Sequence, residues 1–165
     1  MSVKKLKDNL PKLKRAMESF AKREVLVGIP SDETGNERHD ATITNAQIGF
    51  INEFGAPEKN IPPRPFLIPG VRAIWNDAQK RLAKGAEKIL KLNGDPIGIE
   101  EKALEGAGLM AQNSVVQTIN NGIEPALKES TIAARQRKGF AGEKPLIVTG
   151  ALKQSITYVV KQIDD

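Results

Sequence analysis

The 165-residue sequence contains no cysteine, which excludes disulfides, zinc–thiolate sites and thiol catalysis and fits a reducing compartment. It has one histidine, and its aromatics amount to 4% of residues: five Phe, one Trp and one Tyr. The core must therefore rest on Leu, Ile, Val and Ala. No apolar run approaches the roughly 20 residues that a bilayer-spanning helix needs. The start, MSVKKLKDNLPKLKRAM, is basic but lacks an apolar stretch and a small-residue cleavage site, so it is not read as a signal peptide. The glycines form neither GxGxxG nor GxxxxGK, which argues against a nucleotide-binding fold.

What is present is a chain of ordinary charge content, 27%, with a formal net charge of +5 and a pI near 9.5. Its length is that of one domain that folds without covalent staples. The basic balance admits a polyanionic partner, although a solvated basic surface is the simpler account of it. Residues 3–22 carry Val3, Leu6, Leu10, Leu13, Met17 and Phe20 at helical spacing. Lys12, Lys14 and Arg15 lie largely off that stripe, and Pro11 is expected to kink the helix or to follow the entry to a second one at Asp8–Asn9.

"REVLVGIP" (23–30) reads as a strand and "SDETGNERHDAT" (31–42) as a polar loop. A Thr or Asn cap opens a short helix over 44–55 that Gly55 ends. From Pro69 one helix of about 22 residues is expected, stopping at Asn93–Gly94. A second is expected over Ile99–Asn120, and the two form a helical hairpin. Thr131 is expected to cap a short basic helix through Arg137, and Thr149 a single turn through Gln154. "PLIVTG" is a short apolar stretch, and "SITYVVK" alternates as a strand does.

The search for catalytic groups yields little. His39 sits in the polar loop beside Asp40, where a solvated histidine is the simpler account than a metal ligand or a base. Ser130, Thr131 and Ser155 lack a GxSxG setting and a nearby histidine. Glu53, Glu100, Glu101 and Glu105 could pair as catalytic carboxylates, but surface acids on helices are far commoner. For nucleic acid, Lys12, Lys14 and Arg15 on the first helix and Arg135, Arg137 and Lys138 on the late one are the candidate phosphate contacts. Neither group has interleaved aromatics.

"INEFGAPEKNIPPRPFLIPGV" (51–71) holds five prolines and two of the five phenylalanines. Prolines restrict the backbone and remove donors, so such a loop loses little entropy when it docks. Phe54, Pro62, Pro63, Arg64, Pro65, Phe66 and Leu67 are therefore candidates for a subunit or partner interface. The competing account, that Phe66 and Leu67 plug their own core, stands level with it.

The order of these segments is more specific than any one of them. Val27-Gly28 is followed by Ala46, Glu53-Phe54-Gly55 and Pro62 to Leu67, then by Pro145-Leu146 with Thr149-Gly150-Leu152-Ser155-Ile156. Over about residues 24–160 this resembles the head–tail joining and tail completion (neck) proteins of tailed bacteriophages, including the virion morphogenesis proteins of Mu-like phages. The resemblance implies an α+β domain over 23–165, a small, mainly antiparallel sheet packed against the helical hairpin, preceded by the basic amphipathic helix of 1–22. Gly28, Gly55, Thr149 and Gly150 would be its structural motif positions. It further implies a virion protein with no catalytic activity and no cofactor, assembled in the host bacterial cytoplasm. Such proteins form rings, usually hexameric, that complete the tail or join it to the head and let DNA pass. Partners would be further copies, neighbouring neck, connector and tail-tube proteins, and passing DNA. The alternatives are a tail terminator that caps the tube or, in another class, a small basic DNA-binding accessory protein.

Overall fold

A computed structural model describes residues 3–31, 43–91 and 95–163, the first seven of these as backbone only. His39 and the rest of 32–42, together with the expected stop at Asn93–Gly94, lie outside the described residues. The class is α+β. Among the described residues seven α-helices accompany one antiparallel pair of strands, β1 (Arg23–Gly28) and β2 (Thr157–Gln162). The helices are α1 (Val3–Ala21), α2 (Asn45–Phe54), α3 (Leu67–Ala73), α4 (Trp75–Leu90), α5 (Pro96–Asn121), α6 (Glu129–Arg137) and α7 (Ala151–Gln154).

Contacts divide the chain into two compact units, each assembled from separated stretches. The first comprises residues 1–26, 74–111 and 158–165. In it α4 and α5 form the expected hairpin, with Gly85 against Ala103 and the Arg81 guanidinium beside Gly106. The α5 face that packs is spaced three and four apart (Glu100, Ala103, Leu104, Ala107, Ala111), and all five residues are buried. The ring of Tyr158 on β2 lies against the bare Gly108 backbone of the long helix. Helix α1 packs on α4 and buries Ala16. It runs unbroken through Pro11 rather than starting anew after Asn9. A proline inside a helix removes one intrahelical hydrogen bond.

The second unit comprises residues 27–73 and 112–157. Its core is Phe66, Val115, Ile119, Ile123 and Ile156, with Val27, Ile29, Leu67, Val71, Leu146 and Ile147 packed around it. Helix α2 begins with a capping box: the Gln47 amide donates to Thr44 Oγ1 at 3.2 Å, and the Thr44 amide donates to Gln47 Oε1 at 2.9 Å. It ends at Gly55, whose φ of +79° favours glycine. A side chain there would also meet the Pro63 nitrogen at 2.9 Å.

Three expectations need correction. The single helix from Pro69 is two helices, α3 and α4, parted at Ile74 with φ −107° and ψ 5°. That break coincides with the boundary between the units. Thr131 lies inside α6, which starts at Glu129 after Lys128. Thr149 does accept a hydrogen bond from the Ala151 amide at 3.3 Å, but Gly150, at φ +82°, occupies the cap position of α7.

Candidate functional site

The proline-rich stretch folds back on its own chain, and a carboxylate holds it there. Glu53, on the last turn of α2, is 6% exposed. Its oxygens accept hydrogen bonds from the amides of Phe66 at 2.7 Å, Leu67 at 2.9 Å and Ile68 at 3.0 Å. These are free donors at the start of α3, where an anion also complements the helix dipole. The glutamate considered as a catalytic acid is thus a helix cap reaching across a loop. The Arg64 amide donates to Asn52 O at 2.6 Å and closes the same loop.

Phe66 is 1% exposed and central to the core of its own unit. It offers no surface to a neighbour, which settles the two accounts of it in favour of the plug. Leu67 packs half-buried on the same core. Pro62 is half-buried, while Pro63 and Pro65 are exposed. Phe54 points the other way and is 56% exposed, and Phe50, one turn earlier, is 65% exposed. Their rings pack at 4.8 Å between centroids. Ile43, Ile51 and Lys59 border a shallow hollow beside Phe50.

Arg64 is the second buried charge of the stretch, at 8% exposure. Its Nε donates to Pro125 O at 2.7 Å and its Nη2 to Ala126 O at 3.0 Å. Arg135 of α6 turns inward to the same place. Its Nη1 donates to Lys144 O at 3.0 Å and Ile147 O at 3.3 Å. Both arginines line one cavity, whose wall includes Ile48, Leu127, Leu146 and Leu152 beside the polar Asn52 and Thr149. Burial holds the Arg135 pKa below its ordinary value, and the Arg64 charge acts in the same direction. Leu146 keeps φ +62°, a left-handed conformation costly for leucine, where the chain wraps Arg135.

The basic candidates separate. Lys12, Lys14 and Arg15 are exposed on α1, with Lys14 3.7 Å from Glu18. Arg137 and Lys138 are exposed at the end of α6, whereas Arg135 is half-buried and lines the cavity. In the other unit Glu100, 1% exposed, accepts from Ser19 Oγ at 2.8 Å and from Arg23 Nη1 at 3.1 Å. Glu101 and Glu105 are exposed, as are Ser130 and Thr131. The buried Ser155 hydroxyl donates to Leu152 O at 2.8 Å. Among the described residues no three His, Asp or Glu converge as a metal site, and no helix is long and apolar enough to cross a membrane. Gly28 ends β1 with open space where a side chain would stand.

No model of a known protein family matches the chain. No solved structure matches it either. A stretch of 47 residues is 40% identical to an uncharacterized protein of Methanocaldococcus jannaschii. That stretch is 28% of this chain and 32% of the archaeal protein, so the match spans about a third of that relative.

Sequence reasoning singled out Arg64 and Arg135 but placed them in different roles, an interface and a phosphate contact. A signal for their pairing was present. Arg64 is flanked by prolines, and "KPLIV" follows α6 closely enough to fold over Arg135. Glu53 gave a similar hint, because a carboxylate shortly before a proline loop that opens a helix is positioned to cap it.

Proposed function

We propose that this chain is a non-enzymatic structural protein of a bacteriophage neck, a ring subunit that completes the tail or joins it to the head around the DNA path. One observation carries the reading. Val27-Gly28, Ala46, Glu53-Phe54-Gly55, Pro62 to Leu67 and the Pro145 to Ile156 segment, which together resemble such proteins, all fall within the one unit formed by residues 27–73 and 112–157. Within it they bear on one another: Glu53 caps the helix that Phe66 precedes, and Gly55 lets the chain turn against Pro63. The motifs therefore describe a packed body rather than scattered coincidences.

That body exposes the Phe50–Phe54 pair in a chain poor in aromatics. Exposed apolar patches of this kind mark association surfaces. A heterologous contact repeated by rotation closes into a ring. Native mass spectrometry and negative-stain imaging of the purified chain test this, and closed rings of about six copies are the expected result. A strict monomer that binds duplex DNA with a steep salt dependence would overturn it in favour of a DNA-binding accessory protein.

A further inference from the structure

Arg64 and Arg135 line one cavity, and neither forms an ion pair within 4.0 Å with a carboxylate among the described residues. Their hydrogen bonds go to neutral carbonyls: Pro125 and Ala126 for Arg64, Lys144 and Ile147 for Arg135. These leave Nη1 of Arg64 and Nε and Nη2 of Arg135 without a partner among the described residues. A guanidinium removed from water, as that of Arg64 is, is normally matched by an anion, and the half-buried Arg135 adds a second positive charge beside it. Leu146, at φ +62°, lies between the two residues whose carbonyls hold Arg135. Each guanidinium is tethered on one edge, which leaves the other free for two-pronged recognition of a planar anion.

We propose that the Arg64–Arg135 cavity is a carboxylate-binding site that takes an acidic side chain of another protein chain. The charge calls for an anion, and the wall decides its kind. Ile48, Leu127, Leu146 and Leu152 offer apolar surface around the guanidinium pair. They suit a carboxylate carried on methylenes and flanked by apolar residues better than a heavily hydrated phosphate. The site differs from the exposed Phe50–Phe54 patch and does not depend on the ring reading.

The test is a thermal-shift titration of the whole protein with the peptide acetyl-Leu-Glu-Leu-amide. Acetyl-Leu-Gln-Leu-amide, acetate and inorganic phosphate are run beside it at matched ionic strength. The glutamate peptide should raise the melting temperature saturably, and more strongly than acetate. The glutamine peptide should do nothing. Arg135→Gln should weaken the response about tenfold or more, the loss of a charge-assisted bond. Lys128→Gln, removing an exposed cation outside the cavity, should leave it unchanged. Because Arg135→Gln also leaves two carbonyls without their donor and so lowers stability, the wild-type peptide comparison stands by itself. An equal response to the glutamine peptide, no saturable response, or an equal loss with Lys128→Gln would overturn the proposal. Acetate or phosphate binding as tightly as the glutamate peptide would overturn it too, by making the cavity a free-anion site.

Discussion

At the scale of single residues, two side chains in the proline-rich stretch account for its shape. Glu53 satisfies three amides that would otherwise be unpaired where α3 begins. Hydrogen bonds to a charged acceptor contribute about 1.5–3 kcal/mol each, and losses within one group overlap. Glu53→Ala should therefore lower stability by about 3 kcal/mol, read as a fall in the urea midpoint at unchanged slope. A change under about 1 kcal/mol would mean that water replaces the carboxylate without penalty. Phe66 is a separate case, a large side chain sealed among Val115, Ile119, Ile123 and Ile156. Phe66→Ala should cost about 3–5 kcal/mol through lost burial and the cavity left behind. A variant of native stability that had lost only self-association would return Phe66 to the interface. Neither role could be read from residue type. A glutamate near a helix end and a phenylalanine after prolines fit several fates, and the choice is made by residues distant in sequence.

Elements were legible where their signals are local. Helix α2 carries its own start in Thr44 and Gln47 and its own stop in Gly55, so its bounds followed from the sequence nearly to the residue. The division at Ile74 was hidden, because Val71, Ile74, Trp75 and Ala78 keep helical spacing straight through it. Only tertiary packing separates α3, whose Gly70 backbone lies against Val115, from α4, whose Gly85 lies against Ala103. Helix α5 owes its position partly to a buried ion pair that periodicity does not encode. Glu100 would be a stranded carboxylate without Arg23, since Ser19 supplies only one hydroxyl. Arg23→Ala should then cost about 3 kcal/mol. Adding Glu100→Leu to it should recover most of that loss, because a well-packed apolar residue removes the uncompensated charge. Thermal melts of the single and double variants measure this. A double variant no more stable than Arg23→Ala would show that the carboxylate is solvated in the absence of its arginine.

For the whole molecule, the proposed assembly needs a contact surface, and Arg64 and Phe66 of the proline-rich stretch do not supply it. The arm looked like the natural contact element because its prolines make it stiff, yet Arg64 and Phe66 are both buried at home. The outer face of α2 is exposed beside it, with the rings of Phe50 and Phe54 in tilted contact in solvent. A pair of large apolar rings left in water forgoes about 1.5–3 kcal/mol per side chain relative to full burial. A neighbouring copy covering them would recover part of that. The double change Phe50→Ser, Phe54→Ser should abolish rings in native mass spectrometry and leave the monomer's melting temperature within a few degrees of wild type. The two halves of this outcome constrain each other. Loss of rings together with a collapsed melting temperature would place the pair in the fold rather than at the interface. Rings of undiminished abundance would exclude this face of α2 and move the search to Trp75 and Leu109, exposed large apolar residues of the other unit.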